Sequence, residues 1–278
     1  SRPSRMNRKT RLPVKVRELG DVHHVIPTPQ RPVRCRARAL ATDEHFEPHH
    51  HPWSQLAYCA SGLIQVSVDT QQAQTTYILP PSRAVWIPPL ARHAVTVVET
   101  AQIRTLYLDP GATPSHWNGC RVLTVSALLR ELIQALQDIE PGSRDQALMQ
   151  LVLDELVHAD TLALGVPLPR DKRLRSLCEL VLRDPGDRAT LAQWAGQIGA
   201  SERTVTRLFR TELGTSYQQW RQQAVLAHAL PMLARGVPIS AVAAASGYSS
   251  DSAFSAMFKA AMGQSPSHFQ GGQASDSR

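Results

Sequence analysis

No stretch of this 278-residue chain approaches the ~18–20 consecutive apolar residues that a bilayer-spanning helix needs, although 42% of it is hydrophobic. The arginine-rich beginning has no apolar segment behind it, so no export signal is indicated. A soluble cytoplasmic protein with no membrane partner is the expectation. Cysteine is scarce as well: Cys35, Cys59, Cys120 and Cys178 stand far apart and form no C-x-x-C pair. That excludes a disulfide framework and a thiolate zinc site, and it suits a reducing compartment. Bulk positive charge is also lacking over most of the length. The net charge is +7, but residues 1–40 hold 11 Lys/Arg against 2 Asp/Glu, which leaves the remainder at −2. Net charge alone therefore does not point to nucleic acid.

What is present falls into blocks. Residues 1–20, with Arg2, Arg5, Arg8, Lys9 and Arg11, read as a disordered basic leader. Residues 21–112 carry short β-rich runs broken by Pro and Gly, at 34–41, 54–59, 63–68, 74–79, 84–87, 93–98 and 103–108. Regular short strands of this kind predict a sandwich or barrel. Residues 113–164 change texture: 125–139 and 147–164 place apolar residues three and four apart, the period of two amphipathic helices, with Pro141-Gly142 between them. The first of these helices suits either the domain core or a partner helix. Gly165-Val-Pro-Leu-Pro-Arg170 reads as a linker and hinge, and residues 273–278 as a tail.

Residues 171–272 are helical throughout and hold two helix-turn-helix patterns about fifty residues apart. One runs from Leu191 through Gly199 and Ser201 to Phe209, the other from Ile239 through Gly247 and Ser250 to Phe258. Each offers a short helix, a Gly suited to a tight turn, a Ser able to cap, and a second helix. A long helix over 217–234, kinked or shortened by Pro231, joins them. With Val205, Leu208 and Phe209 inward in the first second helix, Arg203, Thr204, Thr206, Arg207 and Arg210 face outward. The equivalent outward set in the other is Asp251, Ser252, Ser255, Ala256 and Lys259. A single pattern of this sort arises often by chance; two in tandem with matching Gly and Phe positions are much more specific.

These residues, together with Gly263-Gln-Ser-Pro266-Ser-His-Phe269, resemble the AraC/XylS transcription regulators over about 171–271. The resemblance implies two successive major grooves of double-stranded promoter DNA as the target. It assigns base reading in the first unit to Arg203, Thr206 and Arg207, since Arg bridges guanine O6 and N7. The second unit has no long cationic side chain at the matching positions, so an asymmetric reader is expected, with Lys259 and small contacts contributing there. Asp251 reads first as a helix cap and second as an acceptor for a cytosine amine.

Upstream, His49-x-His51-x3-Gln55-x6-Gly62 and Pro88-x4-His93 resemble the two cupin motifs, with Gln55 where Glu is common and Leu90 where Gly is common. Strand alternation puts His49 and His51 on one face, and the cupin resemblance brings His93 to meet them. A metal-free pocket is the reading adopted, with no resident cofactor, and the alternative is a divalent metal, since three imidazoles and a carbonyl oxygen suit zinc, nickel or non-haem iron. His49, His51, Gln55, Trp86 and His93 are the candidate effector-binding residues, and His49, His51 and His93 the candidate metal ligands. Trp53, Tyr58 and Tyr107 are possible aromatic walls, and His23, His24 and His116 read as surface.

The fold expected is a two-domain α+β protein: a cupin-like β-barrel with a helical bridge, then an all-α domain with two helix-turn-helix motifs. The function expected is that of a non-enzymatic regulator of transcription under a small-molecule effector, acting as a homodimer, with RNA polymerase as a further partner if it activates. The rival is a metal-dependent cupin enzyme fused to a DNA-binding module, against which Gln55 counts, because catalytic iron sites use a carboxylate.

Overall fold

The computed structural model describes residues 15–71 and 73–271. Among them, the first half is a sheet bent upon itself. Its strands are β1 (Lys15–Val16), β2 (Val33–Leu40), β3 (Glu44–His49), β4 (Ser54–Asp69), β5 (Gln74–Leu79), β6 (Arg83–Ile87), β7 (Arg92–Leu108), β8 (Arg121–Thr124), β9 (Thr161–Leu162) and β10 (Val166–Leu168). Two long strands, β4 and β7, pair with each other along their whole lengths. The first half of β4 pairs on its other side with β6 and its second half with β5, while β7 pairs with β3 and then with β2. Two half-sheets thus share β4 and β7 and face each other across an interior.

The bend sits at Gly62. Its φ is +85°, a Cβ there would lie 2.2 Å from the Thr100 oxygen, and the β4–β7 register shifts on both sides of it. Only a residue without Cβ lets the two backbones meet so closely. The runs at 54–59 and 63–68 are for this reason one strand, as are 93–98 and 103–108. β1, β3, β8, β9 and β10 are additions to the expected set.

Alternation along the strands builds the interior from Phe46, Ala57, Ile64, Val66, Val85, Ile87, Val95 and Ile103. Both outer faces are covered too. On one, Leu56, Tyr58, Trp86 and Leu106 pack on α1 (Ala127–Ala135) and α2 (Ser143–His158) through Leu129, Ile133, Met149 and Val152. On the other, Leu63, Ile78 and Val98 meet the helical domain.

That domain contains α3 (Lys172–Arg183), α4 (Leu191–Gln197), α5 (Glu202–Leu213), α6 (Tyr217–Ala234), α7 (Ile239–Ala245) and α8 (Asp251–Met262). α6 is the spine. Its Trp220 and Ala224 join the core of the first unit with Trp194, Val205 and Phe209, whereas Leu226, Leu230 and Leu233 join Val242, Phe254 and Phe258 in the second. Pro231 lies in the last turn of α6, and the helix runs on to Ala234.

Three expected boundaries differ, the first being that of the helix expected over 147–164, which spans Ser143–His158 and gives way to β9 at Thr161–Leu162. Residues 15–20 belong to the barrel: β1 pairs in parallel with β3, and Arg17 N donates to His45 O at 2.8 Å. The basic positions 2–11 lie outside the described residues, as does the tail at 273–278. The segment 165–170 is no slack linker, because β10 lies antiparallel to β5 with Val166 opposite Thr76 and Leu168 opposite Gln74. Pro167 fits because β10 is an edge strand, and its carbonyl accepts from Trp220 Nε1 at 2.8 Å.

Candidate DNA-reading face and effector cavity

The turn of each helix-turn-helix unit forms for a local reason. Gly199 and Gly247 have φ of +68° and +81°, the left-handed region, and Ser201 and Ser250 then cap α5 and α8 by accepting from Thr204 N and Ala253 N. The cap of α8 is therefore Ser250; Asp251 is the first helical residue, where a carboxylate favours the positive end of the helix dipole. Gly247 meets the Gly186 backbone so closely that a Cβ would stand 2.5 Å from Gly186 O.

Each second helix buries one stripe and leaves the other in water. In α5, Val205, Leu208 and Phe209 are buried; Arg203, Thr206, Arg207 and Arg210 are exposed; and Thr204 is half-buried beside Ser201. In α8, Phe254, Phe258 and Met262 are buried; Asp251, Ser252, Ala256 and Lys259 are exposed; and Ser255 is half-buried. Among the described residues, Arg203, Arg207 and Arg210 enter no ion pair. Three unpartnered guanidinium groups on consecutive turns of one helix are free to donate to phosphates or base edges.

In the barrel the structure brings His49, His51 and His93 together. β3 and β7 set His49 opposite His93, and the ring centroids are 4.3 Å apart for His49–His93, 5.1 Å for His49–His51 and 5.7 Å for His51–His93. One ligating nitrogen from each ring lies within 4.8 Å of those of the other two. His51 stacks on Trp53 at 5.2 Å and meets the Tyr107 ring edge-on at 5.4 Å. Burial pushes the His51 and His93 imidazoles down to about 4 and lowers His49 as well, so all three rings are neutral at pH 7. His50, between them, is exposed, as are His23, His24 and His116.

His49 and Gln55 open onto a cavity lined by Phe46, Ile64, Val95, Ile103 and Tyr107. Apolar walls with a few fixed polar groups are the usual make-up of a small-molecule site. Trp86 is not among them. It faces out of the barrel, buried at 1% exposure edge-on to Trp117 at 5.3 Å under the helical bridge, and Tyr58 shares that outer core. The cavity instead contains residues not anticipated from sequence: Leu19, Arg36, Arg38 and Thr105. Arg38 lies over the Phe46 ring at 4.8 Å and donates to the Leu19 carbonyl. The signal was available in Arg34-x-Arg36-x-Arg38-x-Leu40, where strand alternation puts the arginines on the face of an interior leucine.

Comparison with known proteins agrees in both halves. The AraC-like ligand binding domain matches residues 31–157, and a helix-turn-helix domain matches residues 194–272. The HTH-type transcriptional regulator NimR of Escherichia coli is 35% identical over 235 residues, 82% of this chain and 84% of that protein. The arabinose operon regulatory protein of Escherichia coli is 29% identical over 151 residues, 53% of this chain and 51% of that one. Among solved structures, ToxT from Vibrio cholerae O395 aligns over 86% of this chain and 96% of its own at a TM-score of 0.37 and 14% identity. No helix among the described residues is long and apolar enough to cross a membrane. With both domains matched and a relative similar over most of its length, the chain belongs to the AraC family of transcriptional regulators, built from a ligand-binding β-domain and a helix-turn-helix DNA-binding domain.

Proposed function

We propose that α5 supplies most of the sequence readout on promoter DNA, and that the effector occupies the barrel cavity beside His49, His51, Gln55 and His93. The observation that carries this is the contrast between the two outward faces. Three free arginines stand on α5, against one lysine and small side chains on α8. Arg203, Thr206 and Arg207 read base edges, Arg210 and Thr204 meet the backbone, and α8 adds Lys259 to phosphate, Ala256 to a thymine methyl, and Asp251, Ser252 and Ser255 at its amino end. An effector alters regulation only through different affinity for two arrangements of the domains.

The working form is a cytoplasmic homodimer. Leu128 on α1 and Leu151 and Val157 on α2 are about half exposed, an apolar set on the bridge helices that a second copy would cover. Where the protein activates, RNA polymerase is the further partner. No catalysis is proposed, because Gln55 stands where an iron enzyme of this motif needs a carboxylate.

Genome-wide footprinting of the protein, followed by binding to the recovered operator, tests the proposal. Arg203→Ala and Arg207→Ala should each relax preference at one base pair, whereas Ser255→Ala should change little. Equal loss from all three would overturn the asymmetry. Sedimentation of the wild type and of Leu128→Glu/Leu151→Glu should give dimer and monomer respectively.

A further inference from the structure

We propose that His49, His51 and His93 form a binding site for a divalent late first-row transition-metal ion at the polar end of the barrel cavity. The proposal deepens the effector-cavity reading and shares its location.

Hydrogen bonding to the rings is the first ground. His49 Nδ1 donates to Glu47 O at 2.8 Å, and His93 Nδ1 donates to Ala91 O at 2.9 Å. A carbonyl only accepts, so in the neutral rings both protons sit on Nδ1 and both Nε2 atoms carry a lone pair. This is the arrangement in which outer hydrogen bonds fix a metal-binding histidine.

The second ground is a set of buried polar atoms at the cluster that have no partner. Among the described residues, His51 Nε2, His93 Nε2 and Gln55 Oε1 are buried with no hydrogen bond. A buried polar atom without a partner costs roughly 1–3 kcal/mol, and here three occur in neighbouring residues of one site. The stacking of His51 on Trp53 and its edge contact with Tyr107 hold the third ring in position.

The donor set decides the class of ion. Three imidazoles with an amide oxygen suit zinc, nickel or cobalt, whereas magnesium and calcium want carboxylates and copper(I) wants thiolates or thioethers. Tetrahedral ligation at about 2.1 Å places donors roughly 3.4 Å apart, so from a spread of up to 4.8 Å the rings need to close by up to about 1.4 Å. Side-chain torsions supply that. Gln55 Oε1, in the cavity lining, is the acceptor available as a fourth donor.

The test uses the untagged full chain, stripped with chelator and titrated with cobalt(II) at pH 7.5, followed by visible absorption. One equivalent per chain should bind with the intensified d–d bands of a low-coordinate site, and zinc(II) should displace it. His51→Gln and His93→Gln should each weaken binding at least tenfold, and His50→Gln should leave it unchanged. X-ray absorption of the zinc-loaded wild type, which does not depend on any variant folding, should show three imidazoles. No saturation at one equivalent, or a spectrum without imidazole ligands, would overturn the site. If the ion fails to bind while small molecules still raise the melting temperature through the cavity, the ion falls and the effector reading stands. If the ion binds and no ligand acts through the cavity, the reverse holds.

Discussion

Arg83, on β6 of the ligand-binding domain, donates through Nη2 to the main-chain oxygen of Met262, the last residue of α8, at 2.9 Å. The same nitrogen reaches Gln264 Oε1 at 3.2 Å, and the guanidinium lies 5.5 Å from the Phe269 ring centroid. Met262 O is one of the carbonyls a helix end leaves unpaired, and a cation there also favours the negative end of the dipole. A side chain of the sensing domain thus finishes the second helix of the second DNA-binding unit, in a contact where Arg83 is 3% exposed.

Arg83→Met keeps the aliphatic stem and removes the donors. Unfolding in urea should show a loss of about 1.5–3 kcal/mol, the range for a hydrogen bond to a charged group. A double-mutant cycle with Gln264→Ala should return a coupling of about 0.5–1.5 kcal/mol. An unchanged midpoint in Arg83→Met would mean that the interdomain bond contributes nothing to the folded state.

On DNA, the two units should respond differently. Arg207→Ala should cost about 1–3 kcal/mol on the native operator and nothing on a duplex altered at the base pair it reads. Lys259→Ala should weaken every duplex alike and lower the slope of log affinity against log salt by about 1. Anisotropy titrations at several salt concentrations separate these outcomes. If Arg207→Ala weakened all duplexes equally, its contact would be with phosphate.

Much of this organisation could be read from the residues, and the failures have physical causes. α6 occupies Tyr217–Ala234 and β5 Gln74–Leu79, the spans their periodicity gives, because each has one polar and one apolar face or clear punctuation. Trp86 reads as a cavity residue in the sequence, yet β6 turns it the other way. Its neighbours Ala84, Val85 and Ile87 are apolar and buried as well, so no polar residue marks which face is inside. The Pro-rich stretch 165–170 resembles a hinge because prolines commonly break elements, and only the position of β5 makes it an edge strand. Arg36 and Arg38 are hard to read for the opposite reason: charged side chains ordinarily face water, whereas the barrel turns both toward the cavity, Arg38 over Phe46.

At the second cupin-like motif, Leu90 stands where glycine is common and has φ of +67° with 66% exposure. Its amide donates to His51 O at 2.8 Å, so this turn holds the histidine segment in place. A side chain in the left-handed region costs about 1–2 kcal/mol, and glycine loses about 0.5–1 kcal/mol of that gain through its looser unfolded chain. Leu90→Gly should therefore raise stability by about 0.5–1 kcal/mol, visible as a higher urea midpoint. A lower midpoint would mean that the Leu90 side chain packs in solution.

Acid should loosen the barrel through its histidines. In chelated protein, folding holds His51 and His93 at about 4, below the ordinary 6.5, so between those values the unfolded chain binds more protons than the folded one. Stability gained from the neutral rings is then complete above pH 6.5 and is lost as pH falls toward 4, by on the order of a few kcal/mol for the pair. Carboxylates elsewhere add their own dependence, so the informative quantity is the difference between the wild type and His51→Gln/His93→Gln. Urea midpoints at pH 7.5, 6 and 5 should fall more steeply for the wild type, and the two curves should converge at low pH. Parallel curves would place both rings in contact with water, which would remove the dry, neutral cluster on which the barrel's polar end depends.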